Sequence, residues 1–102
     1  MAWHTVGNVA DFSEDGVSEV IVEGEIIAVA KVDGRFHAMG GICPHQGGPL
    51  GTGELEGCIL RCPWHGLQFD VRTGETELKP PMKNQRFETK VKDDLLMIEI
   101  AR

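Results

Sequence analysis

Four residues stand at spacings that suit metal chemistry. Cys43-Pro44-His45 is a Cys-x-His unit and Cys62-Pro63-Trp64-His65 is a Cys-x-x-His unit, with sixteen residues between His45 and Cys62. Each unit offers one soft thiolate and one imidazole. A structural zinc would take the same four ligands in a tetrahedron. Common zinc spacings pair two cysteines in one knuckle and two histidines in the other, whereas both knuckles here are mixed. Mixed knuckles suit a binuclear centre better. Two irons bridged by two sulfides lie close together, so neighbours on one loop reach one iron each. Cys43 and Cys62 would share one iron, and His45 and His65 the other. A zinc-binding interaction module is the competing reading, and it would be colourless. Ordering these four residues in glycine-proline loops with no ligand at all would be costly.

The two units sit in segments that suit neither strand nor helix. Gly40 to Gly53 is dense in glycine and holds Pro44 and Pro49, which rules out regular structure. Cys62 to Gly66 and Pro80-Pro81 are irregular in the same way. Around them lie short β-prone runs: Ser18 to Val22, Ile26 to Val32 and Arg35 to Met39. Turn signals separate such runs at Asp15-Gly16, Asp33-Gly34, Glu56-Gly57, Thr73-Gly74 and Asp93-Asp94. Asp33-Gly34 is read as a two-residue hairpin. Alternation with period two places Leu67, Phe69 and Val71 on one face, Phe87, Thr89 and Val91 on another, and Leu96, Ile98 and Ile100 on a third. Val9 to Glu14 is expected to form one helical turn capped by Asn8. Short strands with frequent turns predict an all-β antiparallel sandwich or barrel. Irregular loops on such a scaffold are where function sits.

The chain has 102 residues, 41% hydrophobic and 25% charged, which fits one domain spanning 1–102. The net charge of −6 argues against nucleic acid as a partner. It is uneven: −5 over residues 1–42, −2 over 43–79 and +1 over 80–102. The longest apolar run, Ile26 to Ala30, is five residues, far short of the roughly 20 that a membrane helix needs. No secretory signal is expected from the first twenty residues. Three cysteines is an odd count and argues against a disulfide framework.

Cys-Pro-His, sixteen residues and then Cys-Pro-Trp-His-Gly resembles the signature of Rieske [2Fe–2S] proteins. Leu50 and Gly53 after the first loop, and Gly66, Phe69, Asp70 and Gly74 after the start of the second, stand at the family's usual positions. A proline loop follows at Pro80-Pro81. The resemblance covers nearly the whole chain and is strongest over residues 36–81. In length the chain is similar to the stand-alone ferredoxins of bacterial ring-hydroxylating dioxygenase systems. The resemblance implies the Rieske fold, an antiparallel basal domain (1–39 and 78–102) with an inserted cluster-binding subdomain (40–77). It implies one [2Fe–2S] cluster held by Cys43, His45, Cys62 and His65. Gln46, Gly47, Gly48, Leu50, Trp64, Gly66, Leu67 and Pro81 would surround it. It further implies an electron carrier rather than an enzyme. Such a carrier, a cytoplasmic monomer, would dock transiently with a ferredoxin reductase (FAD, NAD(P)H-dependent) and a terminal oxygenase. The small subunit of an assimilatory nitrite reductase is the alternative that the resemblance admits.

Departures from a sister branch sharpen this expectation. Rieske proteins of cytochrome bc complexes carry an extra cysteine in each loop, at the positions of Gly48 and Trp64, and those two form a disulfide. Here no such bridge can form. The same branch has a serine after the second loop's glycine and a nearby tyrosine, both donating hydrogen bonds to the cluster. Here Leu67 follows Gly66 and the chain has no tyrosine. Fewer donors disfavour the reduced, more negative state. The expected potential therefore lies at the low end of the class range of about −150 to +300 mV.

Other reactive types receive plainer readings. Cys58 lies outside the ligand spacing and is expected to be a small buried strand residue. His4 and His37 have no partnering cysteine and are read as structural or surface residues. Gly47-Gly48-Pro49-Leu50-Gly51 lacks the Lys-Ser/Thr ending of a phosphate loop. Trp64 and Leu50 are expected to pack the loops and keep water from the centre. Asp70 is read as strand-edge solvation.

Overall fold

The computed structural model describes residues 2–44, 47–64, 66–78 and 80–100. Its strands, in chain order, are β1 (Ala2–Asn8), β2 (Gly16–Val22), β3 (Glu25–Val32), β4 (Arg35–Gly40), β5 (Glu54–Glu56), β6 (Ile59–Arg61), β7 (Gln68–Asp70), β8 (Arg86–Phe87), β9 (Thr89–Lys92) and β10 (Leu95–Ile100). They form three antiparallel sheets in the orders β1-β10-β9, β2-β3-β4-β8 and β5-β6-β7. The all-β expectation holds. No helix among the described residues is long and apolar enough to cross a membrane.

Two-residue turns set much of the register. Val22 pairs Glu25, Val32 pairs Arg35 and Lys92 pairs Leu95. The residues between each pair, Glu23-Gly24, Asp33-Gly34 and Asp93-Asp94, all have positive φ of 51–79°. Two successive left-handed residues match the right-handed twist of the flanking strands. Asp33-Gly34 is therefore the hairpin that the sequence announces, while the equivalent Glu23-Gly24 turn carries a weaker signal.

Strand β3 is the middle layer and is buried on both faces. Ile27 and Val29 pack with Phe12, Val22, Ala38, Phe87, Leu96, Ile98 and Ile100 between the first two sheets. Ala28, Ala30 and Val32 face the other way, toward Met39, Cys43, Leu50, Leu60, Cys62, Phe69 and Val71. A strand covered on both faces reads as a continuous apolar run, which accounts for Ile26 to Ala30.

Three local expectations change. Val9 to Glu14 yields only a short 3-10 turn, Val9–Asp11, and Asn8 makes no side-chain cap. Phe87, Thr89 and Val91 do not share one buried face, because the chain leaves the four-stranded sheet after Phe87 and joins β10 at Thr89. Phe87 is buried, the Thr89 hydroxyl donates to the Phe36 carbonyl at 3.1 Å, and Val91 is exposed. Cys58 lies in the turn between β5 and β6, half-buried, rather than inside a strand.

Candidate metal centre

The two Cys-containing loops are built alike. In the first, the Cys43 N–H donates to the Gly48 carbonyl at 2.8 Å, and the Gly47 N–H donates to the Cys43 carbonyl at 2.8 Å. In the second, the Cys62 N–H donates to the Leu67 carbonyl at 2.9 Å, and the Gly66 N–H donates to the Cys62 carbonyl at 3.0 Å. The residue offsets are identical. Both loops close on a residue of positive φ, Gly47 at 79° and Gly66 at 71°, a conformation that glycine adopts without strain. An antiparallel pairing sits beneath each loop, Ile42 with Pro49 and Arg61 with Gln68.

Both cysteines are fully buried and unbridged, and both belong to the core beneath β3. The loops press together at Gly48. A Cβ built there would stand 2.7 Å from Cys62 Sγ, 3.1 Å from Trp64 Cγ and 3.3 Å from Trp64 Cβ. Positions 48 and 64 thus face each other, as two positions bridged in a sister branch must. Further close approaches hold the first loop down. A Cβ at Gly41 would meet Ile26 Cγ2 at 2.8 Å, and one at Gly51 would meet Glu19 Cα at 2.8 Å. A Cβ at Gly53 would collide with the Arg61 carbonyl oxygen. Leu50 is fully buried, whereas Trp64 is 59% exposed. Leu50 thus packs in the core beneath the loops, while most of the Trp64 side chain stays in solvent. Leu67 is half-buried, and Gly47 and Pro81 are exposed.

Sequence reasoning passed over two buried polar residues that brace the proline loop. Thr76 closes its base: the Thr76 N–H donates to the Met82 carbonyl at 2.9 Å, and the Met82 N–H donates to Thr76 Oγ1 at 2.8 Å. Asn84 ties that base to the root of the first Cys loop. Its Nδ2 donates to the Gly40 carbonyl at 2.8 Å, its Oδ1 accepts from the Gln85 N–H at 2.9 Å, and its own N–H donates to the Gly74 carbonyl at 2.7 Å. The available signal was an Asn beside Pro80-Pro81 in an otherwise charged stretch.

Asp70 does more than solvate a strand edge. Its carboxylate accepts from Arg72 Nε at 3.0 Å, from Arg72 Nη2 at 2.8 Å and from the Arg72 N–H at 2.9 Å. These hydrogen bonds hold its pKa below the usual carboxylate value. The tight turn ends on Gly74, whose N–H donates to the Asp70 carbonyl at 2.7 Å. His4 Nδ1 lies 3.7 Å from Glu23 Oε1 at the surface.

Of the four ligands expected from the sequence, Cys43 and Cys62 are placed together. His45 and His65, and the neighbouring Gln46, lie outside the described residues. The placed donors fit a thiophilic metal, since buried, unbridged thiols in one core are a soft donor set. The bare Gly48 backbone against Cys62 Sγ leaves room for no other side chain.

Comparison with known proteins agrees with this geometry. Residues 2–94 match the family model for the Rieske [2Fe–2S] domain. The chain is 34% identical over 99 residues to apoptosis-inducing factor 3 of Mus musculus, covering 96% of this chain and 16% of that protein. It therefore spans about a sixth of the length of that relative. It is 31% identical over 100 residues to the ferredoxin component of the naphthalene 1,2-dioxygenase system of Pseudomonas putida, covering 97% and 96% of the two chains. Among solved structures, it superposes with a TM-score of 0.87 and 30% identity on a chain from a complex of reduced oxygenase and oxidised ferredoxin in carbazole 1,9a-dioxygenase. That superposition covers 94% of this chain and 91% of the other.

Proposed function

Because the chain belongs to the Rieske [2Fe–2S] domain family, we propose that it is a one-electron carrier between a ferredoxin reductase (FAD, NAD(P)H-dependent) and a terminal ring-hydroxylating oxygenase. Its cofactor is one Rieske-type [2Fe–2S] cluster. When bound, such a cluster supplies a single-electron couple at constant ligation.

The observation that carries the reading is the matched pair of loops, which bury two unbridged cysteines in one core. In this reading Cys43 and Cys62 hold one iron, and His45 and His65 hold the other. Gly47, Gly48 and Gly66 let backbone approach the site, and Leu50 keeps water out from below. Leu67 stands where a hydroxyl donor would raise the potential. Residues 40–77 act as the cluster-binding subdomain inserted into a basal part, 1–39 and 78–102. The third sheet, built wholly from residues 54–70, supports that division. Gln46, Gly47, Leu67 and Pro81 border the exit for the electron. The end-to-end likeness to a dioxygenase-system ferredoxin component, and the pairing of ferredoxin with oxygenase in the carbazole system, support an oxygenase as acceptor. The carrier works as a cytoplasmic monomer that docks transiently.

Two measurements test the proposal. Purified protein should be brown, with about two irons and two acid-labile sulfides per chain; stoichiometric zinc without visible absorption would refute the centre. Reduced protein mixed anaerobically with a ring-hydroxylating oxygenase should be reoxidised within one catalytic turnover. A protein that accepts an electron but passes it to no such oxygenase would refute the carrier role.

A further inference from the structure

Away from the Cys loops, the two layers beneath β3 part to leave a groove of about 400 Å³ lined by Val32, Asp33, Arg35, His37, Cys58 and Arg72. The register explains its chemistry. Val32 pairs Arg35, Ala30 pairs His37 and Met39 pairs Arg86. These residues share the face of the four-stranded sheet that carries Ala28, Ala30 and Met39 into the second core. Arg35, His37 and Arg86 therefore occupy inward-facing positions of the pleat, where the third sheet does not reach. Across the groove stand Cys58, from the β5–β6 turn, and Arg72, from the turn after β7. Side chains at such positions are ordinarily apolar. Here the positions are held by two arginines and a histidine, whose arginine ends reach solvent, and Arg72 faces them from its turn.

Their charge is also unbalanced. Asp70 engages Arg72 through Nε and Nη2. Among the described residues, the only other ion pair joins His4 and Glu23. Arg35 and Arg86 thus have no carboxylate of the described residues within ion-pair distance, on a chain of net charge −6. Asp33 also lines the groove and offsets part of the positive charge. The excess is felt at His37, whose pKa is lowered first by burial and then by Arg86, with Arg72 and Arg35 adding to it and Asp70 opposing.

We propose that this interlayer groove is a binding site for a small oxyanion ligand, a phosphate ester or a polycarboxylate, gripped by Arg35 and His37 of its lining, with Arg72 as a further donor and Arg86 at its margin. Guanidinium forks match both phosphate and carboxylate oxygens bidentately. The groove volume falls within the range of about 300–1,000 Å³ in which small-molecule sites lie. Val32 and Cys58 supply an apolar wall for the body of the ligand. The site is separate from the metal centre and does not depend on the carrier role.

Isothermal titration of the cluster-loaded protein at low ionic strength, with pyrophosphate in one arm and citrate in the other, tests the proposal. Saturable one-to-one binding is expected in at least one arm. Saturation by pyrophosphate alone identifies a phosphate ligand, by citrate alone a polycarboxylate, and by both the shared oxyanion chemistry. Arg35→Gln should weaken binding about tenfold or more, and Arg86→Gln, at the margin of the groove, by less. Arg35→Lys, which keeps the charge but loses the fork, should fall between the parent and Arg35→Gln. Lys92→Gln, a change on β9 in another sheet, should leave the affinity unchanged. Both arginines are exposed, so the variants should fold and keep the visible spectrum of the parent. Absence of saturable heat in both arms would overturn the site. So would equal weakening by Lys92→Gln, which would mean diffuse attraction to the whole surface.

Discussion

The two faces of β3 are built on different principles. On one, Ile27 and Val29 meet Phe87 and, from the six-residue β10, Leu96, Ile98 and Ile100 in a core of large side chains. On the other, Ala28 and Ala30 are small, the opposing strands are three residues long, and the remaining contacts come from loops. The first face is held by many interchangeable apolar contacts, which tolerate substitution if volume is kept. The second depends on single positions. Gly41, Gly48, Gly51 and Gly53 each lie where an added Cβ would enter another residue's van der Waals radius. A scaffold can therefore weaken gradually while a site on it fails at one atom.

That contrast breaks most sharply at Gly48. Gly48→Ala places a methyl 2.7 Å from the buried Cys62 Sγ, so the sulfur or the loop must move. We expect most of the iron and visible colour to be lost while far-UV circular dichroism still reports folded sheet. Full iron loading in this variant would show that the loops adjust as freely as the basal core.

The opposite experiment is Ile98→Ala, which empties a fully buried position in the basal core. Truncations of this kind cost about 2–5 kcal/mol. Urea unfolding should show that loss, with iron per folded molecule unchanged. A parallel loss of iron from folded protein would mean that the two cores are not separable.

The same division governs how much could be read from sequence. The basal side was legible because period-two alternation in Leu96, Ile98 and Ile100 and the Asp33-Gly34 hairpin are local signals. The metal centre was legible for another reason: Cys and His at fixed short spacing are rare enough to stand out without any periodicity. What lay between was not legible. Strands β5 and β6 are too short to show a period, and β1 has its alternation blurred by a register shift between Thr5 and Gly7. The break between β8 and β9 follows from sheet closure, a tertiary fact that no local pattern encodes. Asn84 and Thr76 looked like ordinary loop residues, because the partners of Asn84 (Gly40 and Gly74) and of Thr76 (Met82) become neighbours only in the fold.

Asn84 sharpens the comparison, since it joins the two regions. Asn84→Ala removes the donor to the Gly40 carbonyl and the acceptor for the Gln85 N–H. Leaving buried polar groups unpaired costs about 1–3 kcal/mol. Because Gly40 leads into the first Cys loop, we also expect iron to be lost to a chelator faster than from Ile98→Ala under conditions of equal global stability. Equal rates would make Asn84 a contributor to stability alone.

The smallest expected effect lies where the layers part, at His37. Burial and the nearby Arg86, Arg72 and Arg35 disfavour its protonated form, against the opposing pull of Asp70, so its folded pKa lies below the usual 6.5. The unfolded chain, where that field is absent, binds the proton more readily. Between the folded and unfolded values the unfolded state therefore holds more protons, and stability must rise with pH. Read downward, the contribution is complete above pH 6.5, declines as the pH falls below it, and levels off beneath the folded value. His37→Gln should remove this slope and leave the stability at pH 8 nearly unchanged. Urea unfolding of parent and variant at pH 8, 6.5 and 5.5 reads it directly. The difference between them should change in favour of the variant as the pH falls. A difference that stays constant over that range would mean that the arginines are screened from His37, and that this end of the second core behaves as ordinary surface.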